Sequence, residues 1–274
     1  MISTISEKLM YSTIRLECLD KKGSIKTGTG FFFNFKRPPY NGVLPVIITN
    51  KHVIRDVVKC ELKLTKSING QPVDNDYVSY EVNDFKNRFI EHPNEDIDIC
   101  AMPIGCILNE LKMKNKEVFY IGLDDSILAK KEDLENLQAI EDTIMIGYPN
   151  GIWDETNNKP IFRKGITATH PRFNYEGRRE FLIDLSCFPG SSGSPVFIYN
   201  ENGYLDKKNN AYNMAPRILF AGILRGGHEH IIQSMVDDEG NEIEVSMPNN
   251  LGVVIKADVI LDLEKKVMNI LEGN

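Results

Sequence analysis

Short apolar runs alternate with polar turns along most of the chain. Most runs are four to eight residues long, rich in β-branched and aromatic side chains, and bounded by Gly, Pro or Asn. This length and composition are typical of β-strands. The runs cover residues 11–18, 30–35, 43–49, 61–64, 77–82, 97–104, 143–148, 165–169, 181–185, 196–199, 218–224 and 251–255. So many short strands predict an all-β protein, built as a barrel or a sandwich.

Three segments depart from this strand pattern. Residues 52–58 (HVIRDVV) fit one or two helical turns, and residues 124–137 (DDSILAKKEDLENL) fit a helix or a surface connection. Residues 257–272 (ADVILDLEKKVMNILE) carry apolar side chains at helical spacing and are followed by Gly273, which predicts a C-terminal α-helix. We therefore divide the chain into an N-terminal β half over residues 1–110, a connection over 111–140, a C-terminal β half over 141–256 and the helix over 257–274.

Composition and charge narrow the class of protein. With 42% hydrophobic and 26% charged residues, the 274-residue chain has ordinary globular composition and suits one large domain or two smaller ones. A net charge of −7 argues against a nucleic-acid partner, because such proteins usually carry a basic patch. No run reaches 18 apolar residues and the N-terminus lacks an apolar signal region, so we expect neither membrane insertion nor secretion.

The cysteines indicate a reducing compartment. Their number is odd, no two form a C-x-x-C pair, and three lie within apolar runs; they are Cys18, Cys60, Cys100, Cys106 and Cys187. We expect reduced, mostly buried thiols and a cytoplasmic protein. Clustered Cys and His at metal-ligand spacing is not visible, so no metal or other cofactor is expected.

One polar stretch, FPGSSGSP at residues 188–195, contains three serines between two apolar runs. A Gly/Ser-rich hairpin is one interpretation. The other is a nucleophilic serine, which needs a base, a group that orients the base, and backbone N–H donors for the developing oxyanion. Ser192 suits that role best, because Gly190 lies two residues before it and another glycine follows it directly. Ser191 and Ser194 have weaker claims.

A base for such a serine would be one of five histidines. His52, in IITNKHVI, follows a predicted strand and begins a turn, where an imidazole can reach a cleft. His92 lies in a segment that fits a surface loop, and His170 precedes a proline in a turn. His228 and His230 are two positions apart and could bind a metal, although a solvated loop fits them better. His52 is therefore the preferred base.

The orienting acid should lie at the edge of an apolar segment. Asp98 is flanked by Ile97 and Ile99 and precedes an apolar strand. Asp96, two residues earlier, lies further from that strand and fits a turn. We therefore prefer Asp98 to Asp96 as the partner of His52.

Three blocks resemble, in this order, the catalytic blocks of trypsin-like serine peptidases, and in particular the HtrA-like bacterial branch. They are TNKHVI (49–54), DICAM (98–102) and PGSSGSP (189–195). Further similar segments are GTGF (28–31), MIGYPNG (145–151), KGIT (164–167), Asp184 and FAGILRGG (220–227). The resemblance implies an all-β fold of two six-stranded antiparallel β-barrels, with the active site in the cleft between them.

The resemblance also implies a role for each matching residue. Ser192 would be the nucleophile, His52 the general base, and Asp98 the residue that orients His52. The N–H groups of Gly190 and Ser192 would form the oxyanion hole. The implied activity is hydrolysis of a protein or peptide substrate, with a regulatory partner protein as a further expectation. Ser191 stands where zymogen-type members carry aspartate, so activation by N-terminal cleavage is not expected.

The substrate pocket is implied by the same resemblance. Ser186, six residues before the nucleophile, would lie at its base, and Phe188 would lie in one wall. The opposite wall, which would also pair with an extended substrate, comprises Leu224, Arg225, Gly226 and Gly227. No acidic residue is expected at the base, which disfavours substrates with Lys or Arg before the cleaved bond. Arg225 could attract an acidic side chain but is expected to point to solvent.

Two other classes of function are weighed against an active peptidase. One is a catalytically latent or inactive peptidase fold that serves as a peptide-binding or scaffold module. The other is a metal-binding protein that uses His228 and His230, for which the sequence offers no further ligands.

Overall fold

Strands account for most of the regular structure in the computed structural model, which describes residues 2, 4–37, 42–236 and 242–273, with the backbone alone at 229–236, 242–248 and 272. The strands are β1 (Thr13–Asp20), β2 (Ile25–Arg37), β3 (Gly42–Thr49), β4 (Val57–Ile68), β5 (Gln71–Asn83), β6 (Ile90–Glu91), β7 (Cys100–Pro103), β8 (Asp142–Gly147), β9 (Ile161–Thr167), β10 (Glu180–Asp184), β11 (Pro195–Asn200), β12 (Tyr204–Asp206), β13 (Ala211–Asn213), β14 (Arg217–Val236) and β15 (Glu242–Lys256). The α-helices are α1 (Ile5–Leu9), α2 (Lys51–Ile54), α3 (Gly105–Met113), α4 (Lys131–Asn136) and α5 (Ile260–Glu272).

The N-terminal half forms a seven-stranded antiparallel sheet in the order β5–β4–β1–β2–β3–β7–β6. Buried and partly exposed positions alternate along β1, because successive side chains of a strand point to opposite faces. The last strand, β6, has two residues, and within the described ranges no pairing joins it to β5. The six-stranded barrel expected for this half is therefore not confirmed.

The C-terminal half closes into a six-stranded antiparallel barrel in the order β10–β15–β14–β11–β8–β9, which confirms the barrel expected there. Strands β14 and β15 form a long hairpin whose register shifts between Leu224 and Gly226, which leaves Arg225 as an extra residue. A bulge of this kind re-aims the local backbone. The bulge adjoins residues 188–195, here called the serine loop, because the Gly193 N–H donates to the Leu224 carbonyl at 2.9 Å.

Aromatic side chains of β2 pack into two cores at once. Phe31, Phe33 and Phe35 join the core between the two halves, and Phe32 joins the core of the N-terminal sheet. This alternation follows from the two-residue period of a strand. Phe31 meets Phe220 of the barrel edge to face, with ring centroids 5.3 Å apart, a geometry that aromatic pairs favour. This packing fixes the second half of β2 against the barrel.

The C-terminal helix predicted from the periodic apolar residues is present as α5. It begins at Ile260, after a 3-10 turn over Ala257–Val259, and ends at Glu272; the C-cap Gly273 has a φ of 75°, the left-handed conformation common at helix ends. Ile260, Leu263 and Val267 are buried in the core between the halves. Their spacing of three and four residues puts them on one face of the helix.

The other helices differ in how well the sequence predicts them. Of the segment 52–58, only residues 52–54 are helical, in α2, because residue 57 already begins β4; α4 lies within the segment 124–137, as expected. Helix α3 follows β7 almost directly, and the apolar pattern does not predict it. No helix of the described chain combines the length and the apolar character that a bilayer crossing requires. The division at residues 110, 140 and 256 stays a prediction.

The cysteines are free thiols, in agreement with the sequence. Four of them are buried and Cys106 is exposed. Burial raises the pKa of the Cys100 thiol well above its usual value, so it is not a reactive thiolate.

Candidate active site

His52 lies at the point where β3 gives way to α2. The strand ends at the fully buried Thr49, and the short helix begins at Lys51. The His52 imidazole is consequently half-exposed, while its Nδ1 lies 2.5 Å from Oδ2 of Asp98. The His52 backbone N–H also donates to Asp98 Oδ1 at 3.1 Å. Because a carboxylate only accepts hydrogen bonds, Nδ1 carries the proton of the neutral ring, and in that form Nε2 has a lone pair for a second partner.

Asp98 is itself held by its neighbours. The Asn50 carboxamide donates to the Asp98 carbonyl oxygen at 2.7 Å. The Lys51 ammonium donates to the carbonyls of Asn94 and Glu95 at 3.1 and 3.2 Å, which holds the preceding loop. The structure therefore brings Asp98 to His52 through two direct hydrogen bonds.

Among the three loop serines, Ser192 is the accessible one. Ser191 and Ser194 are fully buried, whereas Ser192 is partly exposed. Gly190 and Gly193 both adopt a φ of +88°, a left-handed conformation that strains any residue with a Cβ. Between these two turns, Ser192 reaches the protein surface while Ser191 and Ser194 stay buried.

Two peptide N–H groups of the serine loop are left without an acceptor. The Pro189 carbonyl accepts from the Asn150 N–H at 2.6 Å, and the Ser191 carbonyl accepts from the Ser194 N–H at 3.0 Å. In a planar trans peptide the N–H points opposite to the carbonyl. The N–H groups of Gly190 and Ser192 thus point away from these partners, and neither meets an acceptor in the described parts of the chain.

The Ser192 hydroxyl is turned toward the bulge in β14. Its Oγ donates to the Arg225 carbonyl at 3.1 Å. Within the described residues, no hydrogen bond joins it to His52. The structure therefore brings His52 and Asp98 together and leaves Ser192 in a side-chain orientation that points elsewhere. Apo sites often have such long or absent contacts between a nucleophile and its base.

The serine loop nevertheless lies directly against the strand that leads to His52. A Cβ placed on Gly193 would lie 2.0 Å from the Thr29 carbonyl oxygen and 2.6 Å from Thr49 Oγ1. Thr49 is the last residue of β3, three positions before His52. The serine loop therefore lies next to the end of β3, three residues before His52.

Thr29 links the serine loop to the N-terminal sheet. Its Oγ1 donates to the Gly190 carbonyl at 2.8 Å and accepts from the Tyr148 N–H at 3.1 Å. Its backbone N–H donates to the Ser192 carbonyl at 3.0 Å. The Thr49 hydroxyl in turn donates to the Thr29 carbonyl at 2.7 Å. One buried threonine therefore holds the carbonyls of both Gly190 and Ser192.

Thr29 and Asn50 lie in segments that resemble the peptidase family, but no role is expected for either from the sequence. Each is a polar residue next to an apolar strand, and this is the sequence feature that could have identified it. Both prove to be fully buried. A buried polar side chain is almost always hydrogen-bonded, so such positions predict a partner without naming it.

Replacing Thr29 by valine is expected to lower the free energy of unfolding by about 2 to 4 kcal/mol, because it leaves the buried Gly190 carbonyl and Tyr148 N–H unpaired. Thr29→Ser keeps the hydroxyl and serves as the matched control, with an expected loss below about 1.5 kcal/mol for the missing methyl. Urea denaturation of both variants measures the difference. Equal stability of Thr29→Val and Thr29→Ser would show that the two hydrogen bonds contribute nothing.

The residues expected to form the substrate pocket lie in different surroundings. Ser186 is half-buried and Phe188 is 37% exposed. Leu224 is fully buried in the barrel core, and its backbone N–H and carbonyl are both hydrogen-bonded to the serine loop. Gly226 faces open space, and Gly227 lies near Cys187. Their role in substrate binding stays a prediction.

Arg225 corrects one expectation. Its guanidinium Nε lies 3.3 Å from Oε1 of the buried Glu180, instead of pointing freely to solvent. A buried carboxylate needs a cationic or hydrogen-bonding partner, and Glu180 finds one here.

The other histidines offer no comparable arrangement. His92 is buried, with 4% exposed area, and not in a surface loop as expected; its Nδ1 accepts from the Asn94 N–H at 3.0 Å. Burial lowers the pKa of His92. His228 packs near Tyr175, and the His230 side chain lies outside the described residues. The described part of the chain contains no group of three or more His, Cys, Asp or Glu that could hold a metal.

Comparison with solved structures places the fold. The chain is similar to a thermostable serine protease, AL20, from an extremophilic microorganism, with 9% identity and a TM-score of 0.50 over 96% of this chain and 99% of that one. It is also similar to the HtrA-type protease AlgW with tripeptide, with 12% identity and a TM-score of 0.48 over 94% of this chain. This chain spans 60% of the length of that AlgW chain. At these identities the likeness concerns the fold.

The sequence itself identifies the family. No curated protein matches it. The family model described as a trypsin-like peptidase domain matches residues 28–205, well over half of the chain. This range contains His52, Asp98 and Ser192 together with Thr29. The chain therefore belongs to the trypsin-like peptidase domain family.

Proposed function

We propose that the protein is a serine endopeptidase in which Ser192, His52 and Asp98 form a catalytic triad. The observation that carries the proposal is the hydrogen-bonded His52–Asp98 pair beside a loop whose one accessible serine is Ser192. The N–H groups of Gly190 and Ser192, which lack acceptors, supply the donors that acyl transfer needs. Membership of the family supports the same reaction class.

The first half-reaction forms an acyl-enzyme. Ser192 Oγ attacks the carbonyl carbon of the scissile bond while its proton passes to Nε2 of His52. The carbonyl oxygen becomes an oxyanion and accepts hydrogen bonds from the Gly190 and Ser192 N–H groups. The carbon–nitrogen bond then breaks, the leaving amine takes the proton from His52, and the acyl group remains on Ser192. Asp98 stabilises the imidazolium that exists between the two transfers.

The second half-reaction returns the free enzyme. Water attacks the acyl carbonyl carbon, and His52 removes one of its protons. The bond to Ser192 Oγ breaks as His52 returns that proton to the serine, and the product acid leaves. For the first step, the Ser192 hydroxyl must rotate away from the Arg225 carbonyl. An extended substrate that pairs with the backbone of Arg225 and Gly226 as an added strand would compete for that carbonyl.

A latent or inactive peptide-binding module is the second candidate. The hydrogen bond from Ser192 to the Arg225 carbonyl favours it, because a hydroxyl so engaged does not donate to His52. The hydrogen-bonded His52–Asp98 pair favours the enzyme, since a binding module has no need of it. A regulatory partner protein that shifts Ser192 between these orientations is consistent with both. A cytoplasmic location is likewise proposed, and the buried free thiols support it.

A fluorophosphonate probe tests the proposal directly, because it phosphonylates a serine only where a base and an oxyanion hole activate it. We expect one adduct on the folded protein, mapped by mass spectrometry to Ser192, and none on heat-denatured protein. Labelling of several serines, or of none on the folded protein with an open cleft, would refute an active peptidase. Labelling that requires an added peptide would instead identify a latent enzyme.

A further inference from the structure

Arg163 lies on the inner face of the barrel. In the pairing of β8 with β9 it stands directly opposite Met145. Residues opposite each other in an antiparallel pair project from the same face. Met145 belongs to the barrel core together with Leu185, Cys187 and Leu224. The Arg163 side chain therefore projects toward the end of the barrel that carries Cys187.

This arginine lacks the acidic partner that the other barrel arginines have. Its Nη1 is buried without a hydrogen-bond partner, and in the described chain it forms no ion pair. By contrast, Arg217 pairs with Glu141 at 2.8 Å and Arg225 pairs with Glu180 at 3.3 Å. Burying a cationic donor without an acceptor costs free energy, so binding of an anionic ligand to such a group is favourable.

The guanidinium lies at the wall of the expected substrate pocket. Its carbon is 5.0 Å from the ring centroid of Phe188. Burial raises the pKa of the adjacent Cys187 thiol to about 11, and the positive charge of Arg163 acts in the opposite direction. Across from this wall, a Cβ on Gly227 would lie 3.2 Å from Cys187 Cβ. Cys187 and Phe188 directly follow Ser186, the expected pocket base.

We propose that Arg163 makes this pocket selective for aspartate or glutamate at the substrate position before the cleaved bond. The inference rests on the proposed peptidase function and names its substrate class. An arginine presents a planar fork that matches a carboxylate, and burial strengthens such charge-assisted hydrogen bonds. The Ser186 hydroxyl at the pocket base is a further donor. A substrate with Lys or Arg at the same position meets a like charge.

Peptides that differ only at this position test the selectivity. Internally quenched peptides with Glu, Asp, Gln, Leu or Lys before the cleaved bond are hydrolysed by the wild type and by Arg163→Gln. We expect kcat/KM for the Glu peptide to exceed that for the Gln peptide about 10- to 100-fold in the wild type. In Arg163→Gln the ratio should fall to about 1, because the charge that distinguishes the two peptides is gone.

Two further variants separate selectivity from structure. Arg163→Lys keeps the charge but not the fork, and should keep part of the preference for Glu. Lys164→Gln removes the same charge from the next residue of β9, whose side chain is 67% exposed and pairs with Asp142 on the other face. It should leave the Glu-to-Gln ratio unchanged. A uniform loss over all peptides in Arg163→Gln would refute the proposal and give Arg163 a structural role.

A binding measurement keeps the proposal testable whether or not the protein turns over. The Ser192→Ala variant, with or without Arg163→Gln, is titrated calorimetrically with the Glu and Gln peptides. Tighter binding of the Glu peptide, by about 10-fold or more and only with Arg163 present, supports the proposal. Equal affinity for both peptides overturns it, even if Ser192 is labelled by the fluorophosphonate. Absence of labelling with a retained preference for Glu refutes the peptidase instead.

Discussion

If the proposed triad operates, replacing Ser192 by alanine is expected to lower kcat for peptide hydrolysis about a million-fold, the loss seen when the triad serine of subtilisin is removed. The residual rate would come from the two peptide N–H groups and from substrate positioning, which the substitution leaves in place. Single-turnover assays with a fluorogenic peptide measure the loss. Since Ser192 Oγ makes one hydrogen bond, to the Arg225 carbonyl, the melting temperature should change little.

The neighbouring serines are matched controls for this experiment. Ser191 and Ser194 are fully buried and their hydroxyl oxygens have no hydrogen-bond partner within the described chain. Ser191→Ala and Ser194→Ala should therefore keep kcat within about tenfold of the wild type, since neither hydroxyl can reach a substrate. A loss in Ser194→Ala as deep as that in Ser192→Ala would show that the nucleophile is assigned wrongly.

Replacing Asp98 by asparagine is expected to lower kcat/KM about 10,000-fold, the size of effect known for the equivalent change in a serine-protease triad. The carboxylate now accepts from both the ring and the backbone N–H of His52. A carboxamide can instead donate to Nδ1, which moves the imidazole proton to Nε2. His52 could then no longer take the proton of Ser192. The rate of fluorophosphonate labelling should fall together with kcat/KM.

Asp96→Asn is the control for this substitution. It removes one carboxylate from the same loop, two residues away, while the Asp96 backbone N–H keeps its hydrogen bond to Asn94. Activity should stay within about twofold, because screening by solvent limits the effect of an exposed charge. A larger loss in Asp96→Asn than in Asp98→Asn would contradict the role proposed for Asp98.

Local patterns predict the elements of this fold well. The two-residue alternation in GFFFNF puts Phe31 and Phe33 on one face of β2 and Phe32 on the other, and both faces are buried. The three- and four-residue spacing after residue 257 predicts α5 and the side that it buries. Such patterns depend on neighbours along the chain, so a sequence contains them.

Features that depend on distant contacts are not predicted in the same way. His92 looks like a loop residue beside Pro93, yet the fold buries it. The pairing of Arg163 with Met145 is a matter of strand register, and the Glu180 partner of Arg225 lies on another strand. The second barrel, expected in the N-terminal half, is likewise not confirmed. Each of these features depends on tertiary packing, which composition and residue spacing do not predict.

The candidate site lies between these two cases. Resemblance selects His52, Asp98 and Ser192, and the structure joins the first two by hydrogen bonds. The orientation of the Ser192 hydroxyl is a side-chain torsion, which no sequence pattern encodes. Thr29 and Asn50, the buried residues that support the site, can be noticed in the sequence as polar residues beside apolar strands. Their hydrogen-bond partners cannot be predicted in this way.

The threonine that supports the serine loop also links the proposed site to the order of folding. Thr29 and Gly190 are 161 positions apart, and their hydrogen bond closes a very long loop. Closing a loop of this length costs conformational entropy before the contact stabilises the fold, so we expect such contacts to form late in folding. Until they do, the chain holds His52 and Asp98 on one unit and Ser192 on another. A molecule whose two halves have not yet docked would therefore lack part of the proposed site.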